Sequence, residues 1–203
     1  MNNKVLGFGI ATIDYIFVVP KFPAPNEKIR CLEFEIQGGG NCANTLTTLS
    51  RLGLVTEIIT KIGADNIGNQ IKESLEKEGI STKYVIQEGK SSPVSTVIVD
   101  PNNNTRTIIH KPGLPYTDNI FTDEHVLTNV NLLYLDGRFS ESAKILAKKA
   151  MEAQIYVVAE AERVGLGVED LFKYANCVIT SENFHTEFFS DTNIEKNLVV
   201  LLA

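Results

Sequence analysis

The strongest constraint on the fold is a regular alternation of short apolar runs with longer amphipathic patterns. Apolar runs of strand length occupy residues 5–10, 58–62, 132–135, 155–159, 177–180 and 198–202. Helical patterns lie between several of these runs. One carries an apolar stripe from Cys42 to Leu52, another carries Ile67, Ile71 and Leu75, and a third covers residues 140–154. This alternation is typical of stacked β-α units, so the sequence predicts an α/β fold with a mostly parallel sheet.

Two stretches depart from this alternation. Residues 29–36 have the shorter apolar-polar pattern of a strand exposed on one side, and so do residues 94–99 and 105–110. The latter pair is joined by the turn-forming segment D-P-N-N-N at 100–104. These strands, at about 29–36 and 94–110, predict a small antiparallel sheet inserted into the α/β fold. Such a sheet could cover a site as a lid or pair with a second copy of the chain.

The charge and the cysteine content exclude several classes of function. A formal net charge of -6 and a pI near 5.2 give no basic field for a nucleic-acid backbone. Three cysteines without a C-x-x-C spacing, and three histidines without a paired spacing, predict a reducing compartment and no metal site. The apolar run at 5–13 is followed by Asp14, and no other stretch approaches the length of a membrane span. We therefore expect a cytoplasmic protein without a membrane partner.

The most informative local motif is G-G-G-N-C-A-N at residues 38–44, which leads directly into an amphipathic helix. Glycine permits close backbone approach to a ligand, and the first helical turn offers unpaired N–H donors. Asn41, Asn44 and Thr48 form a polar stripe beside the apolar one, and carboxamides both donate and accept hydrogen bonds. This combination suits a polyhydroxylated ligand. The alternative is a flexible glycine-rich turn capped by asparagine.

Two aspartates follow predicted strands. Asp14 comes after the first strand and Asp136 comes after the run at 132–135. Ligands of parallel sheets bind beyond the carboxyl ends of the strands, so both acids could face one crevice and accept hydrogen bonds from hydroxyl groups. Each could instead cap a helix or lie in water.

Other catalytic motifs have little support. Gly7-Phe8-Gly9 begins a dinucleotide-binding pattern, but its third glycine is replaced by Thr12, which argues against an NAD enzyme of the Rossmann type. No phosphate loop of the G-x-x-x-x-G-K-[ST] type, no G-x-S-x-G and no H-E-x-x-H is present.

Several of these blocks together resemble a known family. The strand before Asp14, the block Q-G-G-G-N-C-A-N at 37–44 and the block K-I-G-A-D-N-I-G at 61–68 are similar to the PfkB (ribokinase-like) carbohydrate kinases. D-G-R at 136–138 and A-E-A-E-R at 159–163 resemble the ketohexokinase-like branch. The resemblance implies a Rossmann-like α/β body with helices on both faces and a β lid. It further implies transfer of the γ-phosphoryl group of ATP to a hydroxyl of a ketohexose, fructose-like sugar, or of a nucleoside.

The resemblance also implies roles for individual residues. Asp136 would close the site, and Arg106 would approach the sugar or the transferred phosphate. The hydroxyl groups of the sugar would be held by Asp14, Gly39, Gly40, Asn41 and Asn44.

Two expected parts of the family pattern are not found within the 203 residues. The block D-T-x-G-A-G-D, whose last Asp is the catalytic base, does not occur, and the N-x-x-E position reads Glu182 and His185. We therefore expect the N-terminal portion of a kinase domain, which has no catalytic base and binds neither ATP nor Mg²⁺ well, although both serve the complete enzyme. The apolar run at 198–202 would lack a covering element, so the chain is expected to be inactive and poorly stable. The alternative is a non-catalytic sugar-binding or homodimer-forming protein derived from a kinase.

Overall fold

Two β-sheets organise the chain in a computed structural model that describes residues 3–114, 125–138, 140–165 and 167–189. The larger sheet, called the body sheet, has six parallel strands in the order β10-β9-β8-β1-β4-β5, and the smaller, called the lid sheet, has the order β3-β2-β6-β7. The strands are β1 Lys4–Phe8, β2 Thr12–Val18, β3 Glu33–Gly39, β4 Val55–Ile62, β5 Ser81–Gln87, β6 Val94–Asp100, β7 Thr105–Lys111, β8 Val130–Leu135, β9 Tyr156–Ala161 and β10 Cys177–Thr180. The helices are α1 Asn41–Arg51, α2 Asn66–Lys77, α3 Ser140–Glu152 and α4 Phe184–Phe189, with a 3-10 helix at Val168–Tyr174.

The body sheet is covered by helices on both faces, as the resemblance implied. Alternate residues of each strand point to opposite faces, which is why strands such as β1 are apolar at nearly every position. Leu6 and Phe8 of β1 pack in the cluster that contains α3, the 3-10 helix and α4. Val5 packs in the cluster that contains α1 and α2. The predicted α/β fold with a mostly parallel sheet is confirmed.

Helix α2 shows how local signals set the boundaries of an element. Asp65 precedes the helix in an extended conformation, and its side chain accepts a hydrogen bond from the amide of Gly68. The same carboxylate also accepts hydrogen bonds from the amide and the hydroxyl of Ser92. Gly79, with φ of 76°, follows the helix as the sequence predicted. Asp65 therefore joins the start of α2 to the segment that leads into the lid sheet.

The lid sheet differs from the predicted antiparallel sheet in its central pairing. Strands β2 and β6 are parallel, whereas β2 with β3 and β6 with β7 are antiparallel. The hairpin of β6 and β7 lies where the sequence predicted it, but the strand expected at 29–36 is found as Glu33–Gly39. The lid sheet is mixed because its two central strands both enter it from the body, β2 from β1 through residues 9–11 and β6 from β5, whereas β3 and β7 run back towards the body. Gly40 and residues 88–93 also carry the chain between the two sheets.

The prediction for Asp14 was wrong in one respect. It does not follow the carboxyl end of β1, which stops at Phe8, but lies within β2, paired with Gln37 of β3. Residues 5–19 are almost continuously apolar, and Gly9 is the only turn-forming residue in the connection at 9–11 between the two strands, which belong to two different sheets. Strand β5 was not predicted at all, and the apolar run at 198–202 lies outside the described residues.

Candidate functional site

The site begins where β8 ends beside β1. Asp136 directly follows β8, as predicted, and is only 2% exposed. Its Oδ2 accepts a hydrogen bond of 2.6 Å from the amide of Ile10, and its Oδ1 accepts one of 3.0 Å from the amide of Arg138. The carboxylate lies so close to Gly9 that a Cβ atom there would overlap it. Asp136 therefore fixes the point at which the chain leaves the body for the lid.

Burial governs the ionisation of Asp136. It raises the pKa of this carboxyl to about 6, against the opposing effect of the two amide hydrogen bonds and the charge of Arg138. Cys42 is fully buried nearby, and burial, with the negative charges of Asp136 and Glu160, raises the pKa of its thiol well above the usual value. Cys42 is thus a neutral core residue of α1.

Asp14 lies in a row of four side chains that runs across the strands on one face of the lid sheet. The pairing places Gln37, Asp14, Ser95 and His110 opposite one another on β3, β2, β6 and β7. The Asp14 carboxylate lies against Gly39, where a Cβ atom would overlap it. Its Oδ1 is buried and makes no hydrogen bond among the described residues. A buried carboxylate oxygen without a donor is costly, so this atom is suited to receive a hydrogen bond from a ligand.

His110 and Arg138 bring the lid and the body together around Asp14. The His110 ring nitrogen Nδ1 lies 3.2 Å from the hydroxyl of Ser95. Burial lowers the pKa of His110, the positive charge of Arg138 lowers it further, and the negative charge of Asp14 opposes both effects. A lid histidine, a lid aspartate and a body arginine therefore interact electrostatically across the junction.

The first residue of α1 faces the body sheet. Asn41 donates from Nδ2 to Glu160 over 2.8 Å and to Glu162 over 3.3 Å. Glu160 also accepts a hydrogen bond from the hydroxyl of Tyr134, and Arg138 forms a 3.1 Å ion pair with Glu162. Asn41 is thus joined to residues at the carboxyl ends of β8 and β9, on the side of Asp136.

The remaining candidates of the glycine-asparagine block lie before and after Asn41 in the chain. Gly40 connects β3 to α1, and the amide of Ala43 in the first turn donates to the carbonyl of Ile10. Gly39 and Asn44 line a cavity of about 230 Å³ between α1 and α2. The structure therefore brings Asp14, Gly39, Gly40, Asn41 and Asp136 together at the lid-body junction, whereas Asn44 is exposed at its flank.

Arg106 lies farther away. It is exposed on β7, opposite Val99 and four residues before His110, so it projects from the same face of the strand. At about 3.3 Å per residue, its Cα lies roughly 13 Å along the strand from that of His110. The structure thus places Arg106 on the site-facing side of the lid, but not beside Asp14.

A comparison with family models decides the classification. The model described as "pfkB family carbohydrate kinase" matches residues 2–183. The chain belongs to this family. The resemblance found in the sequence is thereby confirmed.

Two curated relatives show how the pfkB family chain compares with longer proteins. Ketohexokinase of Mus musculus is 27% identical over 192 residues, which cover 90% of this chain and 64% of that protein. A nucleoside kinase of Methanothermobacter thermautotrophicus is 26% identical over 183 residues, covering 84% and 59% respectively. The chain thus spans less than two thirds of the length of both relatives.

Solved structures of the pfkB fold superpose well. The ribokinase of Arabidopsis thaliana, complexed with ribose and ATP, gives a TM-score of 0.83 at 18% identity and covers 100% of this chain and 69% of that chain. The ribokinase of Thermotoga maritima gives 0.79 at 22% identity, covering 98% and 67%. These likenesses confirm the ribokinase-like fold with its second small sheet.

Several residues of this pfkB site were not assigned a role by sequence reasoning. Glu160, Glu162 and Arg138 were noted only as parts of similar blocks, and Ser95 and His110 were not singled out. One signal was available for Glu160, a charged residue near the end of an otherwise apolar strand. The pairing of Ser95 and His110 depends on the register of the lid sheet, which no local pattern specifies.

The described part of the chain contains neither a cluster of metal ligands nor a membrane-spanning helix. Among residues 3–114, 125–138, 140–165 and 167–189, no group of three or more His, Cys, Asp or Glu side chains is placed to hold a metal ion. None of the helices described in this structure is long and apolar enough to cross a membrane.

Proposed function

We propose that this chain forms the sugar-binding part and the lid of a carbohydrate kinase that transfers a phosphoryl group from ATP to a hydroxyl of a neutral sugar. The observation that carries the proposal is the buried Oδ1 of Asp14 at the lid-body junction, which accepts no hydrogen bond from any residue that the structure describes. A sugar hydroxyl would supply the donor that this oxygen lacks, and the carboxylate would make that hydrogen bond strong.

The charges around the junction support a neutral substrate. Asp14, Asp136, Glu160 and Glu162 contribute carboxyl groups there, and the nearby Arg138 is already paired with Glu162. A substrate that carried its own carboxylate or phosphate beside Asp14 would meet repulsion between like charges. Hydroxyl groups, which both donate and accept, match carboxylates and the Asn41 carboxamide.

The favoured substrate is a ketohexose such as fructose. The match to a ketohexokinase over 90% of this chain supports it. A nucleoside is the second candidate, supported by the match to a nucleoside kinase over 84% of the chain. ATP with Mg²⁺ is the phosphoryl donor that we propose for the complete enzyme, and Arg106 on the lid would approach the sugar or the phosphate when the lid closes.

We also propose that two copies pair through the lid sheet. The face opposite Asp14 carries several apolar side chains, of which Phe34 is 49%, Ile36 52% and Ile109 63% exposed. The same face carries the contact between Phe17 and Phe34, with ring centroids 4.8 Å apart. A second lid sheet would cover this surface and pair the exposed edge strands β3 and β7.

Calorimetric titration of the chain with D-fructose, D-ribose and adenosine tests the proposed function. We expect saturable binding of D-fructose that weakens at least tenfold in Asp14→Asn. Glu35→Gln, which removes an exposed carboxylate from β3, serves as the matched control and should bind normally. Equal binding by wild type and Asp14→Asn would contradict the site assignment, and a preference for adenosine would favour the nucleoside alternative.

A further inference from the structure

Two carboxylates of the body sheet determine how the side chain of Asn41 is oriented. Its Nδ2 lies 2.8 Å from Oε1 of Glu160 and 3.3 Å from Oε2 of Glu162. A carboxylate can only accept hydrogen bonds, whereas a carboxamide has one end that donates and one that accepts. The amide nitrogen must therefore face both glutamates, and each of its two N–H groups has a partner.

Glu160 is itself held in place. Its other oxygen, Oε2, accepts a hydrogen bond from Tyr134, whose side chain lies on the neighbouring strand β8 and is 4% exposed. Burial and the neighbouring Glu160 raise the pKa of this phenol well above its usual value, so Tyr134 remains a protonated donor. Because β8 and β9 are adjacent parallel strands, the phenol and the carboxylate are fixed by the sheet.

We infer that Glu160 is a positioning residue that fixes the carboxamide of Asn41, so that Asn41 presents only its oxygen to the ligand. This inference deepens the proposed function and rests on it for the identity of the ligand. The hydroxyl group that meets Asn41 must then donate a hydrogen bond, because a second acceptor there would face Oδ1. Specificity at this position is therefore set from the body sheet, through a residue that need not contact the sugar.

The orientation can be tested without any ligand. Hydrogen exchange of the side-chain amide protons is measured by NMR for Asn41 and for the exposed Asn44 of the same helix. We expect the Asn41 protons to exchange at least tenfold more slowly than those of Asn44 in the wild type. In Glu160→Ala their exchange should approach that of Asn44, while Glu152→Ala, at the exposed end of α3, should leave it unchanged. Equal rates for Asn41 and Asn44 in the wild type would overturn the inference.

The consequence for specificity is tested with D-fructose and its deoxy and deoxyfluoro analogues. Fluorine can accept a hydrogen bond weakly but cannot donate one. At the ring position whose hydroxyl contacts Asn41, both the deoxy and the deoxyfluoro substitution should weaken binding to the wild type at least tenfold. In Glu160→Ala the carboxamide keeps only the longer, 3.3 Å contact with Glu162 and can turn more readily, so the fluoro analogue at that position should recover relative to the deoxy analogue. An unchanged ratio between the two analogues would overturn the positioning role.

The two measurements separate failure of this inference from failure of the proposed function. If neither fructose nor ribose nor adenosine binds the wild-type chain, the proposed function is refuted. The exchange rates of Asn41 then still decide whether Glu160 fixes its carboxamide. If sugar binds but Asn41 exchanges freely, the proposed function stands and the positioning role is refuted.

Discussion

Replacing Asp136 with asparagine should make the stability of the protein less dependent on pH. In the folded state burial raises the pKa of Asp136 from 3.8 to about 6. Between these values the folded protein keeps a proton that the unfolded chain releases, so stability falls as the pH rises from about 4 to 6. Above pH 6 the full cost of holding a buried charge is present. Asparagine does not ionise and does not carry this cost.

The magnitude follows from the pKa difference. At 1.36 kcal/mol per pKa unit, the rise to about 6 corresponds to roughly 3 kcal/mol above pH 7. Part of this difference is already present at pH 4.5, so the stability of Asp136→Asn relative to wild type should increase by about 2 kcal/mol between pH 4.5 and 7.5. Changes that do not depend on pH, such as altered hydrogen bonds to Ile10 and Arg138, cancel in this comparison.

Urea denaturation of both proteins at pH 4.5, 6.0 and 7.5 measures the effect. Asp170→Asn is the control, because Asp170 lies on the surface beside Lys144 and that contact lowers its pKa. Its stability relative to wild type should not increase over this pH range. A difference between Asp136→Asn and wild type that stays constant from pH 4.5 to 7.5 would show that Asp136 is already ionised at little cost, and would refute the reasoning.

Three further predictions concern the lid connection, catalysis and assembly. Asp65→Ala removes the cap of α2 and the hydrogen bonds from Ser92, and should lower the free energy of unfolding by about 2–4 kcal/mol at pH 7 in urea denaturation. Burial opposes ionisation of Asp65, but the hydrogen bonds outweigh it and lower the pKa of this carboxyl. The loss of stability in Asp65→Ala should therefore become smaller as the pH falls through that lowered pKa. A loss of stability that is unchanged at pH 2.5 would contradict this account. In a coupled ADP-release assay, residues 1–203 should show no sugar-dependent turnover near 1 s⁻¹, because no G-A-G-D block lies within them. In sedimentation at tens of micromolar, Ile109→Lys should convert dimer to monomer, and a wild type that is monomeric there would rule out pairing through the lid.

The body sheet could be predicted well from the sequence because its signals are local. Strands buried on both faces are continuous apolar runs, and β10 was predicted with the boundaries that are observed. Asp65 and Gly79 marked the ends of α2 correctly, since caps are set by neighbouring residues. Strand β5 was not predicted because it lies at the edge of the body sheet and its sequence, S-T-K-Y-V-I-Q, contains only a short apolar run after three polar residues.

The site was predictable in its parts but not in its arrangement. The glycine-asparagine block and Asp136 were recognised from local sequence, and the structure brings most of that block to the end of β8. The partners of Asn41 were not assigned because Glu160 and Glu162 lie 119 and 121 residues farther along the chain. Asp14 was assigned to the wrong structural element because the apolar pattern of β1 continues into β2 almost without interruption, and Gly9 between the two strands was not recognised as a strand end.

The continuity of β1 and β2 has a mechanical consequence. The lid is not a loop attached at one point, because the chain passes between the lid sheet and the body at residues 9–11, at Gly40, at residues 88–93 and between β7 and β8. The torsion angles of these connections must change together if the lid is to swing. Opening would therefore be a rigid-body rotation of the lid sheet about several connections. The hydrogen bond from the Ile10 amide to Asp136 lies beside one of these connections. A substitution in any one of these connections should alter the rate at which the whole lid sheet rotates.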